Sequence, residues 1–281
     1  MYCSVGNVAS RRIITLLTDF GLKDPYVASM KGVMYSINPE VIVVDISHNI
    51  SSFDIQEGAF VLACAFKYFP KGTVHVVVVD PGVGTERRGI VVESNNYLFV
   101  GPDNGVLMLA AHIDGARRVV EITNRKYMRS KITHTFHGRD IFAPVAAYLS
   151  LGVSISEIGK EIEDYMVPKF VKPEYSRDKV KAYVIHIDKF GNVITNVTSR
   201  IVFEELKWSY GQKLIVELPG GESMLVPFQK SYGFVKKGTP LLLIDSEDFL
   251  ELAINMGSAA EEFGIARGAL ITIYPSSNSS V

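Results

Sequence analysis

Four segments of this chain concentrate side chains able to do chemistry. Asp80-Pro81-Gly82-Val83-Gly84-Thr85-Glu86-Arg87-Arg88-Gly89 follows an apolar run and brings an acid and an arginine together in one tight loop. Its glycines let backbone approach a ligand closely. No Gly-Lys-Ser/Thr follows, so it is not a phosphate-binding loop, and a third glycine at 89 instead of 87 breaks the dinucleotide fingerprint. The plain alternative is a structural turn with a surface ion pair, which contributes little. His134-Thr135-Phe136-His137-Gly138-Arg139-Asp140 packs donors and acceptors just before a helical pattern. It reads either as reactive groups or as a capping cluster with Asp140 as N-cap. A metal site on His134 and His137 ranks low, because the histidines are three apart and no His-Glu-x-x-His pattern is present.

Thr18-Asp19-Phe20-Gly21 puts an acid directly after an apolar strand, at the edge of a sheet where open α/β folds bind ligands. A carboxylate there suits the two hydroxyls of a ribose; a turn acid is the simpler alternative. Asp188-Lys189-Phe190-Gly191-Asn192 is a strand followed by a turn. Asn192 offers the donor and acceptor that an adenine edge requires, and Phe190 can stack on a base. An ordinary β-turn explains the same residues. Asp245-Ser246-Glu247 follows a further strand and reads as the cap of a helix over 249–256. His48, His75, His112 and His186 are isolated and read as structural, and Trp208 as a core or interface residue. No Gly-x-Ser-x-Gly elbow is present.

These segments need elements to position them. Ile13–Thr18, Val41–Ile46 and Val74–Val79 read as buried strands, alternating with helical spacing over Pro25–Ile37 and Phe53–Phe69. Unalternated β-branched runs in a β-α-β-α-β order predict a layered α/β domain on a parallel sheet. Ile90–Glu93 and Tyr97–Val100 flank Asn95-Asn96 and read as a hairpin. Helical patterns cover Gly105–His112 and Ile141–Leu151. After Val167–Lys179, which carries two prolines and many charges, short strands are punctuated by glycine: Val180–Ile187, Val193–Val197, Lys213–Glu217, Ser223–Val226, Pro240–Ile244 and Ala269–Tyr274. That pattern predicts a small β-barrel or sandwich. The expected organisation is an N-terminal α/β domain over 13–170, a C-terminal β-barrel domain over 180–275, and flexible ends at 1–12 and 276–281.

Composition narrows the function class. With 281 residues, a net charge of −1 and 47% apolar residues, the chain has ample core and no basic excess for a polyanion or a membrane surface. No nucleic-acid partner is expected. No run approaches the roughly 18 apolar residues of a membrane helix. Two cysteines, Cys3 and Cys64, exclude a disulfide framework, and a reducing cytoplasm is the expected location.

Leu17-Thr18-Asp19-Phe20-Gly21, Val79-Asp80-Pro81-Gly82-Val83-Gly84, Thr135-Phe136-His137-Gly138-Arg139-Asp140 and Phe190-Gly191-Asn192, in that order, resemble the S-adenosylmethionine hydroxide adenosyltransferases. The S-adenosylmethionine-dependent fluorinases and chlorinases share that fold. The likeness runs from Ile13 to Tyr274. It implies hydrolysis of S-adenosyl-L-methionine to adenosine and L-methionine, with the sulfonium compound as substrate and neither cofactor nor metal. It implies a homotrimer with active sites between subunits. It also implies that Asp80, Arg87 and His137 position and activate the water, Arg87 rather than Arg88 by the family spacing. The implied substrate-binding set is Asp19 and Phe20, with Thr135 and Phe136 on the ribose side. Phe190 and Asn192 take the adenine, and Asp188, Ser246 and Glu247 lie at the methionine end.

The chemistry is consistent with that assignment. A sulfonium leaves without protonation, so the protein need only align a water with ribose C5′ and take one proton. Either Asp80 or His137 is eligible as the base, whereas arginine is not. A carboxylate beside the nucleophile repels halide, which favours hydrolysis over halogenation. The rivals are a metal-dependent phosphoesterase using Asp19, Asp80, Asp103 and His137, and a nucleotide-binding module without turnover.

Overall fold

The computed structural model describes residues 13–276. The expected flexible ends lie outside these residues, apart from Ser276. The chain divides into two compact units, Met1–Pro168 and Lys169–Val281.

The first unit alternates strands and helices from its start. In chain order these are β1 (Ile13–Thr18), α1 (Tyr26–Ile37), β2 (Ile42–Ser47), α2 (Ile55–Ala65), β3 (Val74–Val78), β4 (Gly89–Glu93) and β5 (Leu98–Pro102). There follow α3 (Met108–Ile113), β6 (Arg118–Ile122), α4 (Ala143–Ser150), α5 (Ile155–Ile158) and β7 (Gly159–Ile162). One sheet has the order β2-β1-β3-β5-β4-β6-β7. Its β2, β1, β3 and β5 run parallel, whereas β4, β6 and β7 pair antiparallel. The valine run of β3 is buried throughout, as the parallel-sheet condition demands. β2 departs from the sequence reading. It lies at the sheet edge and is half-exposed, because a continuous apolar run does not distinguish two covered faces from one.

Helix α1 buries Val27, Met30 and Met34 along one stripe and ends where the Asn38 N–H bonds the Met34 carbonyl, ahead of Pro39. Asp54 caps α2 by accepting from the Glu57 N–H. His75 in β3 is structural, as expected. Its Nδ1 lies 2.8 Å from Thr15 Oγ1, its ring stacks on Phe99, and burial drives its pKa down to about 3.

The second unit holds β8 (Glu174–Tyr175), β9 (Val180–Ile187), β10 (Val193–Thr198), β11 (Lys213–Glu217), β12 (Ser223–Pro227), β13 (Pro240–Ile244), β14 (Phe249–Ile254), α6 (Ala259–Glu262) and β15 (Leu270–Pro275). Apart from β8, which pairs with β9, the strands follow the order β12-β11-β15-β9-β10-β14-β13. The two ends of this sheet nearly meet: Phe228 bridges Leu242, and the Gln229 N–H donates to the Leu242 carbonyl at 2.8 Å. Curling the sheet this way leaves little open edge and gives the barrel-like shape expected.

The helix expected over 249–256 is instead β14. Every residue of this strand is buried between β10 and β13. Leu250, Leu252 and Ile254 face the unit's main core, while Ala253 packs outward with Leu241 and Leu243. Both faces being buried, and apolar except at Glu251, erased the alternation that would have marked a strand. Asp245 consequently caps no helix. Its Oδ1 accepts from the Glu247 and Phe249 N–H groups and closes the turn between β13 and β14.

Candidate active site

In the first unit, β1 and β3 are adjacent and parallel, so the residues just beyond their carboxyl ends are neighbours. This brings Asp19 and Asp80 to one edge. Asp19, Phe20, Asp80, Thr135, Phe136 and His137 line one cavity of about 290 Å³, to which Tyr26, Ser52 and Phe53 also contribute. Phe20, Tyr26 and Phe136 form an aromatic group with ring centroids 5.3–5.8 Å apart. In the sequence Tyr26 and Phe53 read only as parts of helical patterns. The Phe53 N–H donates to Asp19 Oδ2 at 2.8 Å, which fixes that carboxylate at the cavity wall.

The loop after β3 is shaped by short-range bonds. The Val83 N–H reaches the Asp80 carbonyl, and Thr85 donates from its N–H and its hydroxyl to the Gly82 carbonyl. Gly84 has φ +79°, and a Cβ there would overlap the His134 carbonyl oxygen. A residue without a side chain is needed because two loops meet there backbone to backbone. The result is that Arg87 reaches both loops. Its Nη2 donates to Asp80 Oδ2 at 2.6 Å and lies 3.0 Å from His137 Nδ1, while Nη1 donates to the Arg88 carbonyl. The pair is no surface turn: the Arg87 and Asp80 side chains are 9% and 4% exposed.

Hydrogen-bond direction then determines the chemistry. A guanidinium only donates, so His137 Nδ1 must accept, and the neutral ring carries its proton on Nε2. Burial, and then the Arg87 charge, lower the His137 pKa and keep the ring neutral. Among the described residues no side chain bonds Asp80 Oδ1, which is buried, and the Gly82 backbone N–H is directed at the carboxylate. Burial raises the Asp80 pKa, opposed by Arg87 and reinforced by the charge of Asp19. The cluster therefore offers one open carboxylate acceptor and one imidazole donor.

Neighbouring residues have separate tasks. Arg88 donates from Nε and Nη2 to Asp103 Oδ2 and from Nη1 to Asp164 Oδ1, and Asp103 Oδ1 accepts from the Met166 N–H. Asp103 thus secures Arg88 and a distant segment and does not join the cavity lining. Arg88→Ala is expected to lower the melting temperature while leaving kcat within a few-fold of wild type, checked by thermal melts and steady-state rates. Asp140 is not an N-cap. It is buried inside a π-helical turn, Gly138–Phe142, and accepts from Thr133, Arg129 and Arg139; Arg139 and Thr133 hold its carboxyl below the usual range despite burial. Among the described residues, no three His, Cys, Asp or Glu side chains come together as a metal-ligand group.

In the second unit, Asp188 builds its own loop. Its Oδ1 accepts from the Phe190 and Asn192 N–H groups, and its Oδ2 from Asn192 Nδ2 at 3.0 Å. Phe190 is thereby presented 65% exposed, whereas Asn192 is buried. Ser246 is exposed and Glu247 half-buried in the β13–β14 turn. Sequence reasoning missed two residues here. The Tyr232 hydroxyl donates to Glu251 Oε1 at 2.8 Å and lies 3.4 Å from Asn192 Nδ2. A lone acid at the centre of the apolar run Phe249–Ile254 was the available signal, since a buried carboxylate demands a partner.

The family model for the SAM hydroxide adenosyltransferase N-terminal domain matches residues 14–159, and that for the C-terminal domain matches 182–272. The (R)-S-adenosyl-L-methionine hydrolase of Salinispora tropica is 38% identical over 265 residues, covering 91% of this chain and 95% of the relative. The enzyme of the same description from Methanocaldococcus jannaschii is 38% identical over 258 residues, covering 89% and 90%. A fluorinase of an Actinoplanes species is more distant, at 27% identity over 289 residues, covering 93% and 97%. Among solved structures, an uncharacterized conserved protein from Thermotoga maritima superposes with a TM-score of 0.78 at 38% identity, over 93% of this chain and 99% of that one.

Proposed function

The chain belongs to the SAM hydroxide adenosyltransferase family and is an S-adenosyl-L-methionine hydrolase, and we propose that its Asp80–Arg87–His137 cluster drives water onto ribose C5′. A water oxygen attacks C5′, and the C5′–S bond breaks with its electron pair going to sulfur. A water proton passes to Asp80 Oδ1, and the products are adenosine and L-methionine. The observation that carries this reading is the buried Asp80 Oδ1, which no side chain bonds among the described residues, beside a neutral imidazole donor. His137 Nε2–H orients the water, and Arg87 holds both partners in place. In-line positioning accounts for about 7–11 kcal/mol of barrier. A base adds roughly 10²–10⁴-fold.

Asp19 takes the ribose hydroxyls, with Phe20, Thr135 and Phe136 lining that side. Phe190 stacks on the adenine and Asn192 bonds its edge. Asp188, Ser246 and Glu247 serve the methionine end, where the two carboxylates suit the ammonium group. We propose a homotrimer with active sites between subunits, which light scattering tests, and a cytoplasmic location. No helix among the described residues is long and apolar enough to cross a membrane.

The test is incubation with S-adenosyl-L-methionine followed by chromatography, with and without a chelator and chloride. Adenosine and methionine are expected in equal amounts, unaffected by chelation. Faster formation of 5′-chloro-5′-deoxyadenosine establishes a halogenase instead, and loss of activity on chelation establishes metal-dependent chemistry.

A further inference from the structure

Asn192 has two amide hydrogens, and both are committed inside the second unit. One bonds Asp188 Oδ2 at 3.0 Å, and the other is directed at the Tyr232 hydroxyl oxygen at 3.4 Å. That oxygen must accept because its own hydrogen is donated to Glu251 Oε1. The directions run one way along the chain of groups: Asn192 donates to Tyr232, and Tyr232 donates to Glu251. The carboxamide can turn only if this order is broken, so Oδ1 is the atom left to face a ligand.

We propose that Tyr232 and Glu251 are positioning residues that lock the Asn192 carboxamide with its oxygen toward the substrate base, so that the enzyme selects a base bearing an exocyclic amine over one bearing a carbonyl. The proposal rests on the reading of Asn192 as the adenine contact. An oxygen acceptor pairs with a 6-amino group and repels a 6-oxo group, which distinguishes adenine from hypoxanthine. The placement of both residues suits this task. Glu251 is 3% exposed on the outer face of β14, and the turn carrying Tyr232 covers it. Asn255 Nδ2 donates to the Val235 carbonyl, and Val235 packs on Leu241, Leu243 and Ala253, which ties that turn to the strands.

The protonation of Glu251 governs the lock. An ionised carboxylate only accepts, which enforces the order above. A protonated one can donate to the Tyr232 oxygen, freeing the phenol hydrogen and removing the demand on Asn192. Burial raises Glu251 to about 7, with the charges of Asp245 and Asp188 adding to it and the Tyr232 bond opposing. Across the sheet, Ile194 of β10 and Leu243 of β13 flank Glu251 in register, and His186 of β9 lies beyond Ile194 on the same face.

The experiment compares S-adenosyl-L-methionine with its 6-oxo analogue, S-inosyl-L-methionine, in wild type and three variants. Wild type is expected to favour the amine by about 10- to 100-fold in kcat/KM. Tyr232→Phe and Glu251→Leu, which leave the Asp188 bond to Asn192 in place, are expected to erode that ratio several-fold through KM, with kcat retained. Glu251→Gln, whose amide like the protonated acid can both accept and donate, is expected to show the ratio of low-pH wild type at every pH. Wild-type KM should rise as pH falls through about 7, and the Glu251→Gln profile should be flat. A merely structural role lowers the active fraction and leaves the base ratio unmoved. An unchanged ratio in Tyr232→Phe, or a Glu251→Gln variant whose KM still follows pH as wild type does, overturns the proposal. Wild type that releases no adenosine overturns the functional reading instead.

Discussion

Asp80→Asn is expected to lower kcat by about 10³-fold or more while leaving KM for S-adenosyl-L-methionine within a few-fold of wild type. The substitution is nearly isosteric, so the cavity and its lining survive. What changes is polarity. Arg87 Nη2 donates to Asp80 Oδ2 at 2.6 Å and requires an oxygen there. In the variant the amide oxygen is drawn to Arg87, and the NH₂ group takes the position of the open Oδ1. A water that met an acceptor now meets a donor, which turns its hydrogens away and leaves its proton without a base.

The wild-type pH profile supplies a second readout. Burial raises the Asp80 pKa, and the base works only when ionised, so kcat/KM should rise with pH through that raised value. Asp80→Asn should remove this limb. A variant with intact kcat and a large rise in KM would show that Asp80 binds substrate and does not take the proton.

Arg87→Met is expected to lower kcat by roughly 10²-fold or more and to move the acidic limb of the pH profile upward. The guanidinium is the counter-charge that holds the Asp80 carboxyl down against burial. Without it the carboxyl keeps its proton to higher pH. The same charge lowers the His137 pKa, so the imidazole becomes easier to protonate and its Nδ1 is no longer obliged to accept. Both partners of the water change state together. Removing one member of a buried pair also costs stability, about 3–5 kcal/mol, which a thermal melt reads directly. Arg87→Lys separates the two effects. Lysine restores charge, hence part of the stability and of the pH midpoint, but a single ammonium does not reproduce the planar fork that meets Asp80, His137 and the Arg88 carbonyl. An unshifted pH midpoint in Arg87→Met would remove Arg87 from the role assigned to it.

Several features were legible in the sequence because they are local. Asp19 and Asp80 each stand just past an apolar strand, and strand ends of adjacent parallel strands converge. The tight loop at Gly84 was visible as glycine in a turn context. What escaped was the part that distant residues impose. Tyr26 looks like a helical stripe residue, and only the packing of Phe20 and Phe136 against it places it at the cavity. β14 looks helical because its neighbours cover both faces. β2 looks buried because its apolar run says nothing about lying at the edge.

By itself, the amino-acid sequence determined the α/β-then-β organisation, the family resemblance and the segments from which the reactive groups come, since periodicity, turn residues and strand-end acids are properties of neighbours along the chain. The tertiary structure decided which arginine serves the cluster, which His137 nitrogen carries the proton, which Asp80 oxygen is open, and that Asn192 is backed by Tyr232 and Glu251. Those outcomes depend on who donates to whom between residues from 7 to 50 positions apart. Hydrogen-bond direction and burial are relations in space, and they come into being only when the loops meet.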